Sequence, residues 1–144
     1  MIVSQILRDK GSEILSIPPE ATAVEAARLM NERRIGCLLV RRGNGKPDGI
    51  ISERDIVIAL AEKGVEAAER AVRSLMTPAE RLITCTPGDT IARIMAVMTD
   101  RRVRHLPVIE GGRLVGIISI GDVVKARLRE TLAEVEAMTA YVRG

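Results

Sequence analysis

The sequence predicts a mixed α/β (α+β) fold in which a β-α-β-β-α unit occurs twice and an amphipathic helix follows the second copy. Residues 21–40 (ATAVEAARLMNERRIGCLLV) align with residues 89–108 (DTIARIMAVMTDRRVRHLPV), and the short run GIIS occurs in both copies. Repetition over most of a chain indicates that one supersecondary unit is used twice. Helix-period segments alternate with short apolar runs, which indicates that each unit combines helices and strands.

Composition indicates one compact module with an aliphatic core. The chain has 144 residues and 47% hydrophobic content, with no Trp, no Phe and one Tyr. Proteins that bind single-stranded nucleic acid stack bases on aromatic rings, and a net charge of +3 is too small to indicate DNA binding, so we expect no nucleic-acid partner. The apolar runs are too short to span a bilayer and the first residues are too polar for a signal peptide, so we expect a cytoplasmic protein.

The first unit is predicted to contain a strand, a helix, two strands and a second helix. Thr22 and Glu25 have capping-box spacing, so a helix should begin at Thr22 and end near the paired arginines that follow. IGCLLV then predicts a strand, the Gly-rich GNGKPDG a turn, and GIIS another strand. The hydroxyl of Ser52 is suited to cap the next helix, which should run to about Gly64.

The second unit repeats this order. After Thr90, apolar residues recur on one helix face at Ile91, Ile94, Met95 and Met98. VRHLPV, GGRLVG and GIIS predict a strand, a turn and a strand, and the last helix should begin at Ser119. The connector EKGVEAAERAVRS is predicted to be helical, and VSQIL near the start of the chain echoes VRSLM.

These patterns predict the boundaries of the module. The first repeat is assigned to residues 1–64, the connector to 65–71, the second repeat to 72–128 and a helical extension to 129–144. A unit of this size buries little apolar surface alone. We therefore expect the two repeats to pack through their sheets with pseudo-twofold symmetry.

The end of the chain predicts an amphipathic helix that continues past the second repeat. Apolar residues recur there at spacings of three and four: Val124, Leu128, Leu132, Val135, Met138 and Val142. The charged residues that flank this stripe favour a contact with a second copy of the chain over a membrane contact.

The run Ser52-Glu53-Arg54-Asp55 has two interpretations. A helix N-terminus with a hydroxyl favours a phosphate, an Asp one turn later can accept hydrogen bonds from ribose hydroxyls, and an Arg can pair with phosphate. The alternative is an ordinary helix cap with acidic residues in its first turn. The second copy, SIGD, keeps the Ser and the Asp and loses the charges between them, which favours a nucleotide-type site.

Two copies of the run Gly, two apolar residues, Ser-x-x-Asp, the second preceded by RRVRHLPV, resemble a tandem pair of CBS domains over about residues 1–128. This resemblance implies a Bateman module, in which two clefts hold adenine nucleotides such as AMP, ADP, ATP, NAD or S-adenosylmethionine. It also implies a homodimer.

The resemblance implies that each cleft draws on both repeats. One cleft would contain Ile50, Ser52, Arg54, Asp55, Leu82, Ile83, Val103, Arg104 and His105. The other would contain Ile14, Leu15, Ile35, Gly36, Cys37, Ile117, Ser119 and Asp122.

The two implied clefts differ in charge. The first offers Arg54, Arg104 and His105 to phosphates, whereas the second has Gly36 and Cys37 at the matching places and no local cation. We therefore expect the first cleft to bind a phosphorylated adenosine more tightly, and the second to be empty or to take a less charged ligand. Without aromatic residues, adenine would be held between aliphatic side chains such as those of Ile50 and Val103, as is common in apolar pockets.

The sequence does not indicate an enzyme. His105, the single histidine, has no Ser or Cys placed beside it, and the two cysteines lack zinc-type spacing, so we expect no catalytic residue and no metal site. We interpret the chain as a regulatory sensor that requires no cofactor, binds an adenine nucleotide as ligand, and acts on an effector protein. The alternative is a structural dimerisation module whose clefts are degenerate and have no physiological ligand.

Overall fold

The computed structural model describes residues 1–11 and 13–143, and within them it contains the predicted mixture of helices and strands. The α-helices in this part of the chain are α1 Val3–Lys10, α2 Ala23–Arg33, α3 Glu53–Lys63, α4 Ile91–Arg101 and α5 Ile120–Arg143. The strands are β1 Ser16–Ile17, β2 Cys37–Val40, β3 Gly49–Ser52, β4 Thr77–Pro78, β5 His105–Glu110 and β6 Arg113–Ser119. Short 3₁₀ helices lie at Gly64–Glu69, Val72–Ser74 and Ala79–Arg81.

The chain divides into two compact units, which we call the central unit and the terminal unit. The central unit is Ile14–Leu82, and its four-stranded sheet has the order β1-β2-β3-β4. In that sheet β1 runs parallel to β2, and the remaining pairs are antiparallel. The terminal unit is Met1–Glu13 with Ile83–Gly144, and its sheet is the antiparallel pair β5-β6.

These units do not coincide with the two sequence repeats, because each repeat's leading segment belongs to the unit of the other repeat. The Val3 amide donates to the Asp89 carbonyl over 2.9 Å, just before α4. Correspondingly, the Val72 amide donates to the Ala21 carbonyl over 2.7 Å, just before α2. VSQIL therefore packs with the second repeat and VRSLM with the first.

Each unit has its own aliphatic core, as the composition predicts. Buried side chains of both cores come from the inner faces of the helices and from the sheet strands, and burying them supplies the main stabilisation of each unit. In the central unit the buried cluster is Ile17, Ala26, Met30, Leu38, Val40, Ile51 and Val72. In the terminal unit it is Val3, Ile6, Cys85, Ile91, Ile94, Met98, Leu106, Val108, Ile118, Val123 and Ala126.

The predicted helix starts and ends occur as expected. Thr22 Oγ1 accepts a hydrogen bond from the Glu25 amide at 3.2 Å, and the Glu25 carboxylate accepts one from the Thr22 amide at 3.3 Å. At the other end of α2, Arg34 has a left-handed backbone with φ 54°. Arg102 ends α4 in the same conformation with φ 53°. The paired arginines thus mark equivalent helix ends in both units.

The connector is helical, as the sequence predicts, and the first strand of each unit is short. The connector forms the 3₁₀ helix Gly64–Glu69, which begins where Gly64, with φ 65°, ends α3. In the central unit β1 begins only at Ser16, and in the terminal unit Cys85 makes a single parallel bridge to Val108.

The C-terminal helix is confirmed, but no break separates it from the second repeat. Helix α5 is continuous over Ile120–Arg143, so the predicted boundary at residues 128 and 129 lies inside it. Two positions of the predicted segments 1–64 and 129–144, Ser12 and Gly144, lie outside the described residues.

Candidate functional site

In the central unit, Ser52 and Asp55 form a reciprocal cap where β3 meets α3. The Asp55 amide donates to Ser52 Oγ over 3.3 Å. Asp55 Oδ2 accepts hydrogen bonds from the Ser52 amide at 2.9 Å and from the Ser52 hydroxyl at 3.1 Å. This geometry holds the carboxylate in the first turn of the helix, next to backbone amides that favour an anion.

In the terminal unit, Ser119 and Asp122 form the same cap where β6 meets α5. The Asp122 amide donates to Ser119 Oγ over 3.2 Å, and the Ser119 amide donates to Asp122 Oδ2 over 2.8 Å. The neighbouring backbone is also equivalent, because the Ile120 amide donates to the Arg104 carbonyl as the Glu53 amide does to the Gly36 carbonyl. The repeat in sequence is therefore a repeat in local geometry.

The expectation that the Asp122 region has no local cation is wrong. Lys10, at the end of α1, places its Nζ 2.7 Å from Asp122 Oδ2 and 2.8 Å from the Ile117 carbonyl oxygen. Sequence order alone does not reveal this contact, because Lys10 lies in the first repeat and Asp122 in the second. Leu7 and Lys10 lie on one helix face, and Leu7 packs against Gly116, so the helix carries Lys10 to the end of β6.

The two carboxylates differ in their pKa. Burial raises the pKa of Asp55 above its ordinary value, although the Ser52 hydrogen bonds and the Arg54 charge oppose that rise. Burial also acts to raise the pKa of Asp122, but the Lys10 and Ser119 hydrogen bonds and the Lys10 charge outweigh it. The net pKa of Asp122 is therefore lowered, and the lysine is the main difference between the two sites.

The central unit brings together residues from both predicted clefts. Ile50 is buried in β3, and Cys37 on β2 is in register with Ser52. Arg54 is exposed on α3, one residue before Asp55. The other predicted residues of this unit are half-buried in loops that flank β1, β2 and the last 3₁₀ helix: Ile14, Leu15, Ile35, Gly36 and Leu82.

The terminal unit also brings together residues from both predicted clefts, and it contains all the predicted residues that the central unit lacks. His105 begins β5 and is in register with Ser119 at the end of β6. Ile117 on β6 is half-buried, and its carbonyl oxygen accepts the second hydrogen bond of Lys10. Three further predicted residues precede β5: Ile83 and Val103, which are half-buried, and Arg104, which is exposed.

A groove of about 540 Å³ lies between the end of α2 and the start of α3 in the central unit. Its walls are mostly apolar with a polar rim, and Ile35 is the one predicted site residue among them. The lining residues are Ala27, Met30, Asn31, Arg34, Ile35, Glu53, Ile56 and Val57. The groove therefore adjoins the Ser52–Asp55 cap, because Glu53 belongs to the same first turn of α3.

Other kinds of site find little support in the described residues. Over residues 1–11 and 13–143, no three His, Cys, Asp or Glu side chains gather closely enough to hold a metal ion. Burial raises the pKa of the Cys85 thiol to about 12, and the Asp89 charge adds to that rise, so this thiol is not an activated nucleophile. None of the helices in the same residues has the length and apolarity needed to cross a membrane.

Comparison with known proteins identifies the repeats. The model of the CBS domain family matches this chain twice, over residues 3–62 and 72–129. The mitochondrial CBS domain-containing protein CBSX3 of Arabidopsis thaliana is 33% identical over 148 residues, which cover 99% of this chain and 72% of that protein.

Solved structures of CBS-domain proteins have the same fold as this chain. A crystal structure of a CBS-domain containing protein from Agrobacterium tumefaciens has 39% sequence identity and a TM-score of 0.84, covering 88% of this chain and 99% of that chain. The CBS domain pair of protein MJ0100, solved in complex with 5′-methylthioadenosine and S-adenosyl-L-methionine, has a TM-score of 0.75. At 23% identity, over 90% of this chain and 98% of that one, the latter likeness shows the fold alone. This chain belongs to the CBS domain family, as a tandem pair of repeats.

Proposed function

We propose that this chain is a non-catalytic regulatory module that binds adenosine-containing nucleotides in clefts to which both repeats contribute. The observation that carries the proposal is the duplicated cap, in which Ser52 with Asp55 and Ser119 with Asp122 present a carboxylate at a helix N-terminus. A ribose with two hydroxyl groups is a natural donor to such a carboxylate, and a phosphate is favoured beside the helix amides. The ligands of the MJ0100 pair share the adenosine group of these nucleotides but carry no phosphate.

The proposed mechanism is thermodynamic linkage between nucleotide binding and the relative arrangement of the two repeats. A nucleotide that contacts both repeats favours one relative arrangement of them, and an effector protein distinguishes that arrangement from others. The ligand class extends to AMP, ADP, ATP, NAD and S-adenosylmethionine, which share the adenosine group.

We propose that the Asp55 site binds more tightly than the Asp122 site. Asp55 Oδ2 accepts the amide and hydroxyl hydrogens of Ser52, whereas Asp122 Oδ2 is bound to the ammonium of Lys10 as well as to its own cap. A ribose at Asp122 therefore competes with an ion pair. Arg54 adds a cation close to Asp55, and it is suited to contact a phosphate.

The test is thermal unfolding with AMP, ATP, NAD and S-adenosylmethionine at millimolar concentration, with GMP as the control. A ligand at one hundred times its Kd stabilises the folded state by about 2.7 kcal/mol, so a bound nucleotide should raise the Tm by several degrees. Asp55→Ala should weaken calorimetric affinity more than Asp122→Ala. If none of the four ligands shifts the Tm, the proposed function fails. Equal effects of the two substitutions would overturn the ranking.

Absorbance offers an independent check on purified protein. With one Tyr and no Trp, the polypeptide absorbs weakly at 280 nm. Bound nucleotide should therefore appear as a disproportionate band at 260 nm, and extraction with mass spectrometry would identify it.

We also propose that the module forms a homodimer through α5. Apolar side chains remain at least 47% exposed along this helix, at Val124, Leu128, Leu132, Val135, Met138 and Val142. Lys125 precedes Glu134 and Glu136 along the same helix, whereas Arg127, Arg129 and Glu130 already form ion pairs within the chain. An antiparallel second copy would cover the apolar stripe and bring the opposite charges of Lys125 and the two glutamates closer together.

Light scattering tests this contact. Leu132→Glu and truncation after Arg127 should each halve the measured mass, because a charge in the stripe or loss of the helix removes the contact. Ala133→Glu adds the same charge on the face of α5 opposite the stripe and should leave the dimer intact. A monomeric wild-type chain would contradict the dimer, and a dimer in both variants would place its interface elsewhere.

A further inference from the structure

Lys10 makes two contacts that bear directly on the proposed Asp122 site. Its ammonium contacts Asp122 Oδ2 at 2.7 Å and the Ile117 carbonyl at 2.8 Å. The two side chains are 35% and 22% exposed, so the ion pair lies at the edge of solvent. A ligand can therefore reach the pair from solvent.

The contact occupies one of the two carboxylate oxygens of Asp122, and a ribose that donates both of its hydroxyl groups would use both oxygens. Asp122 Oδ2 already accepts the Ser119 amide hydrogen at 2.8 Å as well as Lys10. A ribose hydroxyl that binds this oxygen weakens or displaces the ammonium. In the central unit, the corresponding oxygen of Asp55 accepts the hydroxyl of its own Ser52, which can rotate away at little cost.

A displaced ammonium needs a new partner. A neutral nucleoside has no negative charge to replace Asp122 as the partner of Lys10, so its binding loses the ion pair without compensation. A phosphate offers an opposite charge, and the helix N-terminus at Ser119 attracts a phosphate to the same turn. The four-carbon stem of lysine allows its charged group to move from the carboxylate to a nearby anion.

We infer that Lys10 is a specificity-determining residue, which makes the Asp122 site select phosphorylated adenosines over neutral ones. This inference rests on the proposed function. It goes beyond that function by naming the residue that discriminates and the charge that it reads. Lys10 lies far from Asp122 in sequence and reaches it because α1 belongs to the terminal unit.

The experiment isolates this site with Asp55→Ala, which removes the carboxylate acceptor of the other site, and measures calorimetric Kd values for AMP and for adenosine. In that background Lys10→Met should lower the ratio of the adenosine Kd to the AMP Kd by about tenfold, which corresponds to one charge-assisted hydrogen bond. Adenosine should bind more tightly and AMP more weakly. Lys10→Arg keeps the charge and should retain most of the ratio.

Arg8→Met provides the matched control, because it removes a positive charge from the same helix at an exposed position. It should leave the ratio unchanged. A ratio that stays within twofold in Lys10→Met, or that falls equally in Arg8→Met, overturns the role of Lys10. If the Asp55→Ala protein binds neither compound while the wild-type chain binds AMP, this inference fails and the proposed function stands. If the wild-type chain binds neither compound, this inference fails, and the proposed function fails with it only when ATP, NAD and S-adenosylmethionine also leave the Tm unchanged.

Discussion

The Asp55 and Asp122 regions have the same Ser–Asp cap, but the chain segments that pack beside the two caps differ. In both units a strand ends at a Ser that caps a helix, and an Asp three residues later closes the cap. In the terminal unit α1 continues to Lys10 and brings an ammonium to the Asp. In the central unit the equivalent segment leaves its 3₁₀ helix at Ser74 and pairs as β4 with β3.

This difference shows how a duplicated site acquires two chemistries. The local sequence determines the position of the carboxylate, because the cap depends on residues three apart. The charge around the carboxylate depends on a segment that is distant in sequence. Two sites that are alike in motif can therefore differ in pKa and in ligand preference.

The largest expected effect is a loss of unfolding free energy where the leading segments of the repeats, VSQIL and VRSLM, pack against the two sheets. Both sheets have a Gly where that segment packs, Gly49 against Met76 and Thr77, and Gly116 against Leu7. A Cβ at Gly49 would collide with the Thr77 carbonyl oxygen, which is backbone, whereas at Gly116 it would lie 2.6 Å from a Leu7 methyl, which can rotate. Gly49→Ala should thus cost about 3 kcal/mol of unfolding free energy and Gly116→Ala about 1 kcal/mol.

Urea unfolding of both variants measures these costs. Ala at the exposed Gly88, where an added Cβ would meet open space, is the control and should change little. Equal costs at Gly49 and Gly116 would show that the two leading segments approach their sheets with the same tolerance.

A smaller difference in unfolding free energy is expected when each of the two carboxylates is replaced by Asn at neutral pH. Asp122→Asn removes the charge that pairs with Lys10 and should lower the unfolding free energy by about 1 kcal/mol, the upper end for a partly exposed ion pair. Asp55→Asn removes a carboxylate whose pKa burial has raised, and Asn still accepts the cap hydrogen bonds. Its stability should stay equal to that of the wild type or rise slightly.

Acid pH supplies the control for this pair. The lowered pKa of Asp122 means that its contribution is present above the unfolded pKa, about 3.9, and is lost as pH falls through the folded value. The raised pKa of Asp55 means that its penalty disappears as pH falls through its own folded value. The variants should thus converge with the wild type in strong acid, and an Asp122→Asn difference that persists there would not come from the ion pair.

Much of the fold was determined by the sequence itself, because the relevant signals are local. Capping spacing at Thr22, the glycine after Lys63 and the apolar period of α4 depend on residues one turn apart. The duplicated Ser-x-x-Asp cap is equally local, so its position and geometry were predictable for Asp55 and Asp122. Family membership followed from the same runs.

Tertiary structure decided which segments share a unit, and so which charges meet. Val3 pairs beside Asp89 and Val72 beside Ala21, an exchange that internal similarity alone does not reveal. The sequence shows Lys10 only as a basic residue near the end of a helix, a place where cations are common. Packing of Leu7 on Gly116 brings Lys10 to Asp122, because a contact between distant segments depends on how the chain folds back and not on spacing within either one.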